Sequence, residues 1–571
     1  MDREARRLLD EYRQNEADPV ENALFDDLAA GELTRLDFLQ RGTVLGLSAT
    51  TLGAALGALG HAPLALGATS HVGQAGGRLR VGIIPAPVGD LEPHLFKDHG
   101  RLVTGSICGE FLTKSRQNGT LAPELAVSWK RNADATQWAF NLRRGVKFAN
   151  GKPFTADDVV ATFNRLTDPN GGSEALSAFK GVLSPGGAKK VGDYTVVFTL
   201  EAPNANFPYL TSSTTYQAII LPSNYTLGSF AKGRQTTGPF NLVSYTPGVG
   251  ARFERNAQWW GGRALLDGVD VTYYSEDAAA VAGLLGGQID MMSQISFTSG
   301  KALFKSPKVQ IFSAPSAGHR QISMLTSTVA ANKALKDRRV RQAIALSLDR
   351  PQLVKQLFNG FAEVGNDGGP LSPSIHVVAD KSVPARKQDL VQAKKLLAQA
   401  GYPRGFKETL TAPIFQEIPQ LAQIVSASVK KIGIEMPLNL ITYTAYYAGT
   451  YSGGATGRGT NPWLNSPIDI TDWAHRAVPN VVLTSAFVTG GPWNAAAYSN
   501  KKVDGLIKSF NGAVAIKDQK KYIAQIMRIL QNDTPVIFPY FFKWVLAGST
   551  RVKGFQADAL GMLFLGKTSV R

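Results

Sequence analysis

Apolar and polar positions alternate with a period of two in several short stretches of the chain. Trp138, Phe140 and Leu142 alternate with Gln137 and Asn141, and Leu79, Val81 and Ile83 alternate with polar or small residues. Tyr194, Val196, Phe198 and Leu200 repeat the pattern, as do residues 269–273, and each stretch predicts a half-buried strand. Elsewhere the spacing lengthens to that of a helix. Thr155 followed by Asp158 predicts a helix cap ahead of an apolar face of Val159, Phe163 and Leu166. Ile418, Leu421, Ala422, Val425, Val429 and Ile432 mark one face of a helix that ends at Gly433, and residues 394–400 predict another, stopped by Gly401 with Pro403 beyond. Asp337 stands where an acid suits the positive end of a helix dipole. A helix over 278–285 following the strand at 269–273 suits an α/β sheet.

The first 75 residues follow a different pattern. Residues 1–33 are polar, with Leu8, Leu9, Tyr12, Leu24, Phe25 and Leu28 as an apolar minority that predicts a short amphipathic helix. An uncharged run at 43–60, rich in Gly, Ala, Ser and Thr, is about 18 residues long, the length at which a signal core and a membrane-spanning helix converge. Its mild hydrophobicity and the preceding Arg35-Leu36-Asp37-Phe38-Leu39 resemble a twin-arginine export signal. Leu36 stands where the second arginine is expected, and the leader is longer and more acidic than usual. Export by a twin-arginine-like or Sec signal, with cleavage among residues 65–75 and Gly73-Gln74-Ala75 as a candidate site, competes with retention as an uncleaved membrane anchor. No other stretch approaches spanning length.

Composition narrows the class. The 571 residues, 44% apolar with 57 Gly and 30 Pro, describe a loop-rich globular chain of roughly three or four compact units. The single cysteine, Cys108, excludes an intrachain disulfide and a four-cysteine metal site, and its apolar setting predicts a buried, inert thiol. It stands far beyond the apolar run, so a lipoprotein anchor is not expected. Net charge is +17, yet residues 1–75 hold six arginines and eleven acidic residues, which leaves about +22 on the remainder. Basic clusters such as Lys189-Lys190, Arg338-Arg339 with Arg341, and Lys430-Lys431 are short and scattered; they favour a solvated surface over nucleic-acid binding. The sequence carries no serine nucleophile elbow, metalloprotease helix, P-loop or dinucleotide turn, and its seven histidines are too dispersed for a local metal motif. No catalytic residue, metal ligand or cofactor is expected.

One long string is specific. Residues 121–166 contain Leu121-x-Pro123-x-Leu125-Ala126-x-Ser128-Trp129, an aromatic-rich strand, and Leu142-Arg143-x-Gly145-Val146-x-Phe148-x-x-Gly151-x-Pro153-Phe154-Thr155-Ala156-x-Asp158-Val159. This closely resembles the signature of the family 5 extracellular solute-binding proteins, the peptide- and nickel-type receptors of ABC importers. Thr237-Gly238-Pro239-Phe240, Gly287-Gln288-Ile289-Asp290 and Asp337-x-Arg339-Val340-Arg341-Gln342-Ala343 extend the resemblance almost to the C-terminus.

The resemblance implies an α/β, two-lobed periplasmic-binding-protein fold (type II, Venus-flytrap) with an extra small domain in the first lobe. The expected division is an export signal and leader at 1–75, domain I at 76–112, 236–312 and 539–571, domain II at 113–235, and domain III at 313–538. It further implies a monomeric, periplasmic receptor that closes on a small-molecule or peptide ligand and delivers it to ABC permease subunits in the inner membrane. Trp259 and Trp260 are expected to pack outside the cleft.

Candidate ligand contacts follow from the same resemblance. The family's first ligand-facing loop corresponds to residues 89–94, with Glu92 and His94, although a surface turn fixed by Pro93 is equally compatible. Peptide-type members carry Trp-x-x-Asp, whose acid holds the ligand's amino group. Here the segment reads Trp473-Ala474-His475-Arg476, with Arg476 at the expected acid position. Facing the cleft, Arg476 and His475 favour a carboxylate over an ammonium; alternatively Asp469 or Asp472 supplies the acid in a shifted register, or pairs with Arg476. Tyr443, Trp463, Trp473, Trp493 and Asn494 are candidate cleft walls or core packing. Peptide is the first expectation for the solute. An anionic opine or sugar acid, a metal chelate, and an exported enzyme or chaperone on the same scaffold are the alternatives.

Overall fold

The computed structural model describes residues 3–61, 76–87, 89–297, 299–327, 333–450 and 459–571. The cleavage sites expected at 65–75 lie outside them. Three larger sheets organise the body. The first has seven strands in the order Val309–Ala314, Trp544–Ser549, Met291–Met292, Arg78–Ile83, Gly268–Tyr273, Gly250–Arg255 and Phe240–Thr246. Arg78–Ile83 lies between two parallel neighbours, with Leu79, Val81 and Ile83 fully buried. The helix Asp277–Leu285 connects those two neighbours, as parallel pairing requires a crossover.

The second sheet, of four antiparallel strands, holds the 121–166 signature. Ala126–Arg131, Gln137–Leu142, Thr195–Thr199 and Ala188–Gly192 pair in that order. The alternation that predicts Gln137–Leu142 puts Trp138 and Phe140 inside, and Phe198 meets Phe140 at 5.3 Å and Phe163 of the helix Ala156–Thr167 at 4.8 Å. Each buried ring contributes about 1.5–3 kcal/mol. Asp158 is fully buried at the start of that helix, where it accepts hydrogen bonds from the Thr155 amide at 2.8 Å and the Ser223 amide at 2.7 Å and pairs with Lys152. The signature is therefore scaffold. Trp259 and Trp260 are scaffold as well: their indole N–H groups donate to the buried Glu110 at 2.8 and 2.7 Å.

The third sheet has seven strands. Ala362–Val364, Tyr540–Phe542, His319–Met324, Ile468–Trp473, Leu410–Ile414 and Leu438–Thr442 follow one another, and Val536–Ile537 also pairs with His319–Met324. The chain passes from the first sheet to this one at residues 315–318 and returns at Lys543. The return falls beyond the boundary expected at 538, because the strand resumes after Pro539 and pairs with Ala362–Val364. The two crossings touch: the Phe542 amide donates to the Gly318 carbonyl at 2.9 Å.

The described N-terminal region is helical. It forms four helices, α1 (Arg3–Asn15), α2 (Pro19–Ala29), α3 (Arg35–Leu45) and α4 (Ala49–Ala58), packed on the body. Asp18, Thr34 and Ser48 cap α2, α3 and α4. The apolar run at 43–60 is not one helix. Gly46 adopts φ of 92°, and a Cβ there would collide with the Trp129 carbonyl, so the chain turns and α4 starts afresh. No described helix is long and apolar enough to cross a membrane.

Candidate solute-binding site

The edge of the third sheet at the two crossings gathers most of the polar and aromatic side chains singled out in the sequence. Strand pairing places His319 opposite Trp473, with ring planes parallel and centroids 6.2 Å apart. From Trp473 a run of ring contacts passes to Trp463 at 6.1 Å, to Tyr447 at 5.6 Å and to Tyr443 at 4.9 Å, while Trp493 flanks Trp473 at 5.5 Å. The structure thus brings Tyr443, Trp463, Trp473 and Trp493 together. Trp463 and Trp473 are core residues, whereas Tyr443 is 41% exposed and forms the outer end. The buried Trp473 Nε1–H has no acceptor among the described residues. Asn494 serves its own loop, donating to the Val488 and Tyr498 carbonyls and accepting from the Tyr498 amide.

Beside the outer rings lies Asp472, half-buried, which accepts from the Tyr447 hydroxyl at 2.6 Å. Burial together with this carboxylate raises the Tyr447 pKa well above its ordinary value. A buried ion pair completes this edge: Arg320 Nε lies 2.9 Å from Glu417 Oε1, and Tyr540 donates to the same oxygen at 2.7 Å. Burial alone would lower the Arg320 pKa; Glu417, Tyr540 and Asp472 outweigh it and keep the guanidinium charged. The guanidinium also lies 4.9 Å from the Phe542 ring centroid. Neither Arg320 nor Glu417 carries a sequence signal, since the pair forms only when a strand start and a helix cap distant in the chain meet.

His475 and Arg476 follow directly on Trp473. His475 is buried and accepts at Nδ1 from the Ala317 amide, 3.0 Å away in the first crossing. Burial, with His376 and Arg476 nearby, lowers its pKa to about 3, so the ring is neutral. His376 accepts at Nδ1 from the Ser372 amide and donates from Nε2 to the Arg476 carbonyl at 2.8 Å, which fixes the backbone here. The Arg476 side chain is half-buried, bonds at Nη1 to the His475 carbonyl at 3.0 Å, and has no carboxylate within 4.0 Å among the described residues. It acts electrostatically on Tyr216 of the 113–235 segment, partly offsetting the burial that raises that tyrosine's pKa. Asp469 bonds instead to Tyr446 and Thr471.

Glu92 and His94 have their bonds within the first lobe. Glu92 accepts from the Tyr225 hydroxyl and the Gly228 amide, both at 2.6 Å, and His94 is buried 3.9 Å from it. Burial lowers the His94 pKa. No group of three or more His, Cys, Asp or Glu side chains that could hold a metal ion occurs among the described residues.

Two α/β lobes joined by two short adjacent crossings, with charged and aromatic groups collected at the junction, define a hinged solute receptor. The chain belongs to the bacterial extracellular solute-binding proteins, family 5, whose sequence pattern matches residues 120–475. It is the substrate-binding component of an ABC importer. The heme-binding protein A of Haemophilus influenzae is 26% identical over 469 residues, covering 77% of this chain and 82% of the relative. The oligopeptide-binding protein AppA of Bacillus subtilis is 27% identical over 518 residues, covering 85% and 89%. The crystal structure of the substrate-binding protein CtaP of Listeria monocytogenes superposes with a TM-score of 0.75 at 22% identity, over 87% of this chain and all of that one.

Proposed function

We propose that the solute is a peptide with a free carboxylate, held by Arg476 on the cleft edge of the second lobe. The observation that carries this reading is Arg476 itself: a half-buried guanidinium just past the strand Ile468–Trp473, near enough to act electrostatically on Tyr216 of the 113–235 segment, with no protein carboxylate within 4.0 Å among the described residues. A charged donor in that setting is matched by an anionic acceptor arriving with the ligand. Asp472, reached by the Tyr447 hydroxyl, supplies the acid for the ligand's ammonium in the shifted register, and Tyr443 and Tyr447 provide the apolar wall. The oligopeptide-binding name of the Bacillus relative supports the peptide class. Arg476 equally supports a second reading, an anionic non-peptide solute such as an opine or sugar acid.

In this account the protein is a monomeric receptor rather than an enzyme, binds no nucleic acid, works in the periplasm after export by a twin-arginine-like or Sec signal, and hands its solute to ABC permease subunits. The division into domains I, II and III is part of the same proposal, and the three separate sheets support it. Thermal melting of the purified chain against short peptides, their C-amidated forms, opines, sugar acids and nickel–histidine mixtures tests the assignment. Stabilisation by free-carboxylate peptides is expected. Stabilisation by none of these, together with turnover of any of them, would overturn it.

A further inference from the structure

We infer that residues 475–480 form a relay between the solute site and the movement of the lobes: the segment that carries Arg476 is tied to the first crossing by His475 and to the first lobe by Asn480. The tie at the crossing is a pair of imidazoles closing on one residue. His475 Nδ1 accepts from the Ala317 amide at 3.0 Å, and His319 Nδ1 donates to the Ala317 carbonyl at 2.8 Å. The Gln321 side-chain amide donates to His319 Nε2 at 3.1 Å, which puts the hydrogen of that ring on Nδ1. Ala317 and both histidines are buried. On the other side of the crossing, Ala314 is paired with Trp544 in the first sheet. Pro315, with its fixed φ, and Ser316 are all that separates the two sets of bonds, so a turn in this crossing is felt directly at His475.

The other end of the segment reaches the first lobe. Ala477 is buried in the same apolar core as Tyr209 and Leu210, and Val478 packs against that core. At the start of the helix Asn480–Ala486, Asn480 Oδ1 accepts from Asn206 Nδ2 at 3.2 Å. The Asn480 amide donates in turn to Asn511 Oδ1 at 2.9 Å, and Asn511 donates to Thr484 Oγ1 at 3.0 Å. A chain of side-chain amides thus runs from the first lobe into two helices of the second. Between the two ends, His376 Nε2 donates to the Arg476 carbonyl at 2.8 Å and fixes the backbone from which the guanidinium extends. A segment held at three points within close-packed surroundings passes a displacement on rather than absorbing it. A carboxylate on Arg476 therefore acts on the crossing through His475 and on the first lobe through Asn480. The functional readout rests on the proposed capture of a carboxylate by Arg476, while the geometric readout needs no ligand.

The test uses the full chain carrying Val249→Cys in the first lobe and Val391→Cys in the second, two exposed positions, spin-labelled to measure the distance between the lobes; the native Cys108 is buried. On this background Asn480→Ala removes the tie to the first lobe, His475→Phe removes the acceptor for Ala317, and His475→Gln keeps one. Asn480→Ala and His475→Phe are expected to broaden the distance distribution without ligand and to reduce the shift produced by a pool of tetrapeptides with free carboxylates. Binding of the pool is expected to weaken roughly three- to tenfold, the range for one net hydrogen bond. His475→Gln is expected to behave as the parent does. Distributions and peptide responses equal to the parent's in both disruptive variants would overturn the relay, as would a His475→Gln chain no closer to the parent than His475→Phe. Broadened distributions with an unchanged peptide-induced shift would overturn it as well, since the ties would then hold the lobes without serving the site. Broadened distributions in variants of a parent that ignores the peptides uphold the two ties and count against the peptide assignment instead.

Discussion

His475 accepts a hydrogen bond at Nδ1 from the Ala317 amide, 3.0 Å away, and so ties the cleft edge of the second lobe to the first crossing. Its folded-state pKa, about 3, lies below the ordinary 6.5. The unfolded state therefore binds the extra proton, and the stability contributed is fully present above pH 6.5 and lost as pH falls from 6.5 toward 3. His319, lowered to about 3, and His376, lowered to about 4, act in the same direction. Urea midpoints should decline with falling pH in this window, and His475→Gln, whose amide oxygen can still accept from Ala317, should make the decline shallower. An identical slope in the variant would remove His475 from the account.

Arg476→Ala should weaken binding of free-carboxylate peptides by about 1.5–3 kcal/mol, roughly ten- to a hundred-fold, the range for hydrogen bonds to charged groups. Calorimetric titration with matched C-amidated peptides is the control. Equal losses for both forms would make Arg476 structural.

Glu124 behaves in the opposite sense to His475. Burial, opposed by Lys114 and reinforced by Glu110, raises its pKa to about 8. Its contribution is present below pH 4.5 and is lost as pH rises through 8, because the folded state holds the proton longer. Glu124→Gln, which keeps an acceptor for the Phe111 amide, should flatten the alkaline limb of the stability curve. Thermal melts from pH 6 to pH 9 would show this, and an unaltered limb would contradict it.

Asp158→Ala should cost about 3–5 kcal/mol in urea unfolding, since it strands Lys152 and two amides that now share a buried carboxylate. Asp158→Asn should cost less. A loss under about 1 kcal/mol would mean that the helix start relaxes onto solvent.

Elements whose pattern is set locally were legible before the structure. The alternation around Trp138 and Phe140, and the helical spacing of Ile418, Leu421, Ala422, Val425 and Val429, need no distant partner to be read, and each residue is buried as its spacing implies. The break within the apolar run at 43–60 was not legible, for the opposite reason. What divides it is the approach of Gly46 to the Trp129 carbonyl, a contact between segments far apart in the chain. The site shows the same contrast. The aromatic residues from Tyr443 to Trp493 stood out by type, but the engagement of Glu92 by Tyr225 and Gly228, and of Glu417 by Arg320 and Tyr540, is tertiary and left no trace in spacing.

The hydrogen bond between Phe542 and Gly318 has a mechanical consequence. A Cβ at position 318 would run into the Phe542 ring, so the two crossing segments lie side by side with nothing between them. Two separated linkers would let the lobes twist, shear and swing independently. A pair fused at one point leaves chiefly a single rotation, like the pivot of a pair of tongs. Small torsional changes near Gly318 and Lys543 then become large displacements at the far rim of the lobes.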